Sequence, residues 1–509
     1  MASRRDQLNA YTFAKRRMLA AFVQPSSDGS EEAAPKPLRA VLPGTIVGVV
    51  VMAVFGAWGM FRPTAPQGWD TPGEKVIIAS KSTTRYVVLK TDGRTQLHPV
   101  LNMASAKLLL ADGKGDVVTV DESILDNGKI PHGVTIGIPY APDRLPSSQE
   151  AGAAKRWAVC ERPGAGGRAI QKAAFVLAAR DRKKTEGARQ KLGGGDILYV
   201  AAPDGQRYVV DARGTAYEVD KNDELLLRTL VGAGRQPERV SRDWLDTLHT
   251  GDPIEFPRIE GSVSAPAGVQ GSLPAAANKV GMVLRAPDGD RQQFYVVEQG
   301  KVLPVSDFTA KLLLNSKDLV GLGQAGKALD VSAGAFVPGS TAFAADRKWP
   351  TLTPKVVNDA GTTSGSRGTV CNVLDHVDSG NGTTTLNTWV GTDFPAELPT
   401  GSSSAYVTPG SGQLYRQFQG TDTKAGGVFL VTDTGLRYAM QSNADSGSTG
   451  TEYGMTDKQR KELQQEAQLA QTRLGYAGLS PAPIPVAWSM FLPTGPRLST
   501  TAASQPQGS

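Results

Sequence analysis

Lys327 closes the run Gly321-Leu322-Gly323-Gln324-Ala325-Gly326-Lys327-Ala328, which matches the GxxxxGK spacing of a phosphate-binding loop. Such a loop cradles phosphates on backbone N–H groups and needs a Ser or Thr hydroxyl after the lysine to hold magnesium. Here that position is Ala328, and the run follows a leucine-rich helical pattern instead of a strand, so it reads as a flexible loop. The four histidines, His98, His132, His249 and His376, show neither HxxxH nor HExxH spacing; a metal site would need distant residues to converge. No GxSxG occurs, and neither Cys160 nor Cys371 has the surroundings of a nucleophile. The basic run 181–191 reads as a solvated face. These residues point to no enzyme, cofactor or metal.

What must be explained instead is a chain of 509 residues with 55 basic and 49 acidic side chains, net charge +6, two cysteines, 57 glycines and 33 prolines. The length buries more than one core. Two cysteines exclude a disulfide-dense mini-protein, and interspersed charge gives no field of the kind a nucleic-acid binder needs.

Residues 40–61 (AVLPGTIVGVVVMAVFGAWGMF) carry no charge and are long enough to cross the roughly 30 Å of bilayer hydrocarbon as a helix. The stretch is too long and too far from the N-terminus for a signal peptide. Arg4, Arg5, Lys15, Arg16, Arg17, Lys36 and Arg39 precede it, and Arg62 alone of the bases follows closely, which predicts a cytoplasmic N-terminus. In an oxidising exterior Cys160 and Cys371 are expected to form a disulfide, with two buried thiols as the alternative. Gly44 and Gly48 form a GxxxG through which a second helix could approach.

The spacing predicts a helix over 6–22 with Leu8, Tyr11, Lys15, Met18, Leu19 and Phe22 along one stripe. It has two readings: adhesion to anionic lipid, or docking to a cytoplasmic partner through Tyr11, Phe13, Arg16 and Arg17. Beyond the span a pattern recurs: Tyr86-Val87-Val88 with Gly93, Tyr208-Val209-Val210 with Gly214, Tyr295-Val296-Val297 with Gly300, and a divergent Phe429-Leu430-Val431 with Gly435. Each reads as strand, turn, strand, helix. The segments holding the cysteines fit no repeat and are predicted to meet as a β core.

The expected fold is thus a single-pass membrane protein with an elongated α+β exoplasmic region of four small repeats around a disulfide-linked central β core. Its predicted divisions are a basic arm and tether (1–39), the membrane helix (40–61), repeat one (76–146), core segment one (151–195), repeat two (196–261), a linker (262–279), repeat three (280–346), core segment two (347–424), repeat four (425–496) and a disordered tail (497–509).

Five ordered motifs carry a resemblance: Gln7-x-x-x-Tyr11-x-Phe13-x-x-Arg16-Arg17, His98-Pro99-Val100-Leu101-Asn102-x-Ala104-Ser105-Ala106, Ile136-Gly137-Ile138-Pro139-x-Ala141-Pro142, Trp157-x-x-Cys160 and Trp488-x-x-x-Leu492-Pro493-Thr494-Gly495-Pro496. Together they resemble the EccB family of actinobacterial type VII (ESX) secretion systems over nearly the whole chain. The resemblance implies a structural subunit of a secretion membrane complex, homo-oligomeric, with an EccC-like ATPase, an EccD-like multispan subunit and, where present, an EccE-like subunit as partners beside membrane lipid. It also implies that Gln7, Tyr11, Phe13, Arg16 and Arg17 meet those partners and that Cys160 pairs with Cys371. No nucleic acid and no cofactor is expected. The alternatives are an ATP-hydrolysing secretion component and an extracytoplasmic cell-wall-binding protein.

Overall fold

The computed structural model describes residues 3–23, 38–60, 65–164, 169–187, 189–360, 366–399, 404–440 and 457–507. Most of the predicted tether (26–37) and the Ser/Gly-rich stretch 442–450 lie outside them.

The arm is a helix, Arg4–Val23. Ser3 Oγ accepts from Arg5 N at 3.2 Å and Asp6 accepts from Ser3 N at 3.2 Å, a reciprocal cap that fixes its start. A second helix, Leu38–Met60, covers the apolar stretch, with Pro43 near its beginning. Among the described residues no helix is long and apolar enough to cross a membrane.

The remainder is α+β, built on five sheets. Four share one plan. In the first, Lys75–Ala79, Arg85–Thr91 and Arg94–Val100 run antiparallel in sequence, helix Met103–Leu108 follows, and Asp116–Val120 returns parallel to the first strand. The other three repeat this order, starting at Asp196–Ala201, Val283–Asp288 and Gly412–Phe418. The aromatic-aliphatic triplets occupy the second strand of each sheet. Thr91 pairs directly with Arg94, so Asp92 and Gly93 form a two-residue turn; both have positive φ, 51° and 76°, the conformation that type I′ hairpins demand and Asp-Gly supplies.

The pattern of strand, turn, strand, helix omits the first and last strand of every unit. The closing strands are as short as two residues (Glu238–Arg239, Leu329–Asp330), too few to show period-two alternation. The opening strand of the fourth unit, Gly412–Phe418, falls inside the predicted core segment 347–424. Lys355–Val356, predicted in the same segment, adds to the second sheet beside Asp196–Ala201.

The fifth sheet joins sequence-distant segments in the order Thr384–Gly391, Thr369–Val377, Arg156–Arg162, Gln171–Leu177, Ala405–Val407. Arg156–Arg162 is buried along nearly its whole length, because both faces of the sheet are covered.

Two expectations are corrected. The stretch 262–279, predicted to be a linker, is bound to the third unit: Ser264 N donates to Val280 O at 2.9 Å, Ala267 N to Asn278 O at 3.0 Å, and Ala267 and Ala277 are fully buried. Its alanines and valines pack without a regular strand, and the Asn278 side chain pairs with both backbone groups of Val269. The tail is not disordered through 507. Leu498 is fully buried between units one and four, helix Thr500–Ala503 is capped by Ser499, and Gln507 N donates to Thr135 O at 2.8 Å. Its small polar residues conceal two apolar anchors, Leu498 and Ala503.

Deleting 498–509 removes a Leu side chain whose burial contributes about 1.5–3 kcal/mol and leaves the carbonyls of Ala439 and Thr135, which accept from Leu498 N and Gln507 N, unpaired. The truncated chain is expected to unfold at lower denaturant and to lose amide protection at 136–138 and 437–439. An unchanged midpoint would show that the tail stabilises nothing.

Candidate functional site: the bridged sheet and the basic arm

Cys160 stands directly opposite Cys371 on adjacent antiparallel strands, with 4.0 Å between their Cα atoms, and the two are joined as a disulfide. Alternation sends the side chains of these strands to two faces. The disulfide face holds Ala158, Cys160, Ala173, Phe175, Cys371, Val373 and Trp389 and is closed by Phe394, Ala396 and Leu398. The opposite face holds Trp157, Val159, Val370 and Leu374 and is shared by units two and four.

Unit four is fixed at Trp157, whose Nε1 donates to Gln413 Oε1 at 2.8 Å while its ring meets Tyr415 edge-on. Tyr415 is fully buried; desolvation pushes its hydroxyl up to about 12, so it stays protonated and bonds Ser489 Oγ at 2.8 Å. Unit two is fixed at Trp244, whose Nε1 donates to Val159 O at 3.2 Å, and at Glu161, which accepts from Ser241 N at 2.7 Å. Glu161, Ser241 and Trp244 are not singled out by their sequence; the one signal is a carboxylate directly after the apolar run Trp157–Cys160.

The sequence motifs resolve into packing. Asn102 Oδ1 accepts from Ser105 N (3.0 Å) and Ser105 Oγ (2.8 Å), Asn102 Nδ2 donates to Ile138 O (2.7 Å), and Ser105 Oγ accepts from Ile138 N (2.8 Å). His98 lies between Thr91 Oγ1 (3.1 Å) and Val134 O (2.9 Å). The closing motif threads under unit four: Arg437 N donates to Pro493 O at 3.0 Å and Gly495 N to Arg437 O at 2.8 Å.

The other candidate positions stay apart. Gly321–Ala328 begins within the end of the 3₁₀ turn Lys317–Leu322 and leads into the strand Leu329–Asp330. Its centre is pinned to the sheet, Gln324 Oε1 accepting from Val283 N at 2.9 Å and Nε2 donating to Val283 O at 2.7 Å. No long helix begins at Lys327 to supply a phosphate cradle. Among the described residues no group of three or more His, Cys, Asp and Glu is placed to hold a metal. On the arm, the five predicted contact residues do not form one face. Gln7 and Tyr11 are four apart on one side, whereas Phe13, Arg16 and Arg17 share the other, since residues two apart on a helix point away from each other. All are exposed, Tyr11 by 69% and Phe13 by 62%.

The family model described as "Type VII secretion system ESX-1, transport TM domain B" matches residues 1–508. The chain belongs to the EccB family. It is a structural component of the type VII (ESX) secretion inner-membrane complex. Among EccB relatives it is similar to the "ESX-3 secretion system ATPase EccB3" of Mycolicibacterium smegmatis, 26% identical over 528 residues, covering 97% of this chain and 89% of that protein. It is also similar to the "ESX-1 secretion system ATPase EccB1" of Mycobacterium tuberculosis, 25% identical over 353 residues, covering 68% of this chain and 67% of that one. The fold matches a chain in the "Structure of an intact ESX-5 inner membrane complex", with TM-score 0.56, 21% identity and coverage of 100% and 96%. It also matches the "Structure of EccB3 dimer from the ESX-3 core complex", with TM-score 0.54, 20% identity and coverage of 84% and 99%.

Replacing Cys160 and Cys371 together by Ser is expected to cost about 2–4 kcal/mol, read as a lower denaturant midpoint of the full chain in detergent, while non-reducing peptide mapping of the wild type yields one peptide pair joined through these two residues. An unchanged midpoint would mean that strand pairing alone holds the sheet.

Proposed function

We propose that this EccB-family chain is a non-catalytic frame of its secretion complex, anchored once in the membrane by the helix Leu38–Met60, with residues 1–39 cytoplasmic and the five-sheet body extracytoplasmic. The single observation that carries the frame reading is the bridged sheet, whose side chains lock units two and four onto one surface. The topology is supported by the uncharged sequence of 40–61 and by the basic residues before it. The body divides at the units 76–146, 196–261, 280–346 and 425–496, with the fourth extended back to Gly412.

The basic arm is the contact to the cytoplasmic ATPase subunit and to the neighbouring multispan subunit, with Phe13, Arg16 and Arg17 as one docking edge and Gln7 with Tyr11 as another. An EccE-like subunit and further copies of this chain complete the assembly. The relatives' names, "ATPase EccB3" and "ATPase EccB1", favour a second reading, ATP hydrolysis; the loop at 321–328 argues against it, having Ala328 where a hydroxyl is needed and Gln324 tied to the sheet.

Arg16→Ala with Arg17→Ala is expected to reduce recovery of the ATPase subunit with the detergent-solubilised chain by tenfold or more, without changing the amount of chain in the membrane. Undiminished recovery would remove the arm from the contact. For the topology, a cysteine at Asp290 is expected to react with a membrane-impermeant thiol reagent on intact cells and a cysteine at Ala14 only after lysis; the reverse would invert the orientation.

A further inference from the structure

The stretch 193–360 stands between the first and second segments of the bridged sheet, and the segment 238–248 of unit two lies against its strands. Ser241 donates to Glu161 through both N and Oγ, the N at 2.7 Å. Asn372 Nδ2 donates to Thr247 Oγ1 at 2.8 Å. The Glu238 carboxylate lies beside Gly368, where a Cβ would stand 3.1 Å from Glu238 Oε2. The seam therefore contains two carboxyl groups, with Glu161 0% and Glu238 3% exposed.

Glu161 accepts two hydrogen bonds from Ser241, but neither carboxyl has a cation to itself. Lys172 Nζ lies 4.0 Å from Glu161 but bonds Asp243 at 2.6 Å, and the Asp243 charge also faces Glu161. Glu238 faces a second negative group, Asp359, and accepts from the backbone of Arg239; its Oε2 has no hydrogen-bond partner among the described residues. Such buried charges are costly unless neutralised.

We propose that this seam is a proton-linked clasp, closed when Glu161 and Glu238 are protonated and loosened when they ionise. Burial raises both groups above the usual carboxyl range, Glu238 to about 7 with Asp359 adding to the shift. A carboxyl whose value is higher in the closed than in the open state favours closure fully below its open-state value of 4.5. That preference is lost as pH rises through about 7. The closing equilibrium weakens about tenfold for each unit by which the two states differ.

Hydrogen–deuterium exchange on the full chain in detergent tests this, at about pH 5.5 and about pH 8, with rates corrected for intrinsic chemistry. Peptides spanning 238–248 are expected to lose protection by about tenfold or more at the higher pH, while peptides of 85–100 stay unchanged. Glu238→Gln combined with Glu161→Gln should abolish the difference. Asp359→Asn, at an exposed site that leaves the seam packing intact, should move the midpoint of the loss to lower pH. Wild-type protection that does not change with pH, a glutamine double variant with the same loss, or an Asp359→Asn midpoint that does not move would each overturn the clasp.

Discussion

Pairing Arg156–Arg162 with Thr369–Val377 brings together residues 211 apart in sequence at the bridge. Closing so long a loop is entropically costly before any contact is gained, and the disulfide removes much of that cost from the folded side by confining the unfolded chain. The stretch 193–360, units two and three included, becomes an insertion between strands of one sheet, while units one and four come from the flanking sequence.

The two faces of that sheet divide the labour. The face carrying the sulfurs is apolar and is covered by the chain at 394–398; it holds the frame together. The other face distributes it, with Trp157 seating unit four and Val159 with Glu161 seating unit two. From unit four the core continues to unit one, where Leu108 and Ile138 share a cluster with Leu474 and Tyr476. From unit two it continues to unit three, through Phe308 and Leu312 packed with Leu226, Leu230 and Trp349. One shared surface thus passes order outward through four small units, each with too little apolar area to stand securely alone.

The middle of every unit was legible because its hairpin depends on local chemistry: a β-branched triplet, a turn glycine and a short helix. The opening and closing strands were not, since parallel return strands of two to five residues are decided by where the helix sets the chain down. The bound 262–279 stretch and the tail escape because isolated alanines, a valine and Leu498 bury without periodicity. In the arm, helical spacing was readable over 6–22, yet the five family positions span two sides of the helix, a division that a motif written along a line conceals. The cysteine segments could be seen as strands, whereas the two buried carboxyls beside them became visible only once Ser241 and Gly368 were set against them.

On the proposed reading the chain transmits position instead of doing chemistry, and its recognisable motifs serve that end: His98, Asn102 and Ser105 close unit one, and the Trp488 segment closes unit four. The most direct test of that account is ATP turnover by the purified full-length chain freed of every other subunit. The account predicts none above the detergent blank, with the wild type and Lys327→Ala indistinguishable. Turnover by the wild type that Lys327→Ala abolishes would contradict it.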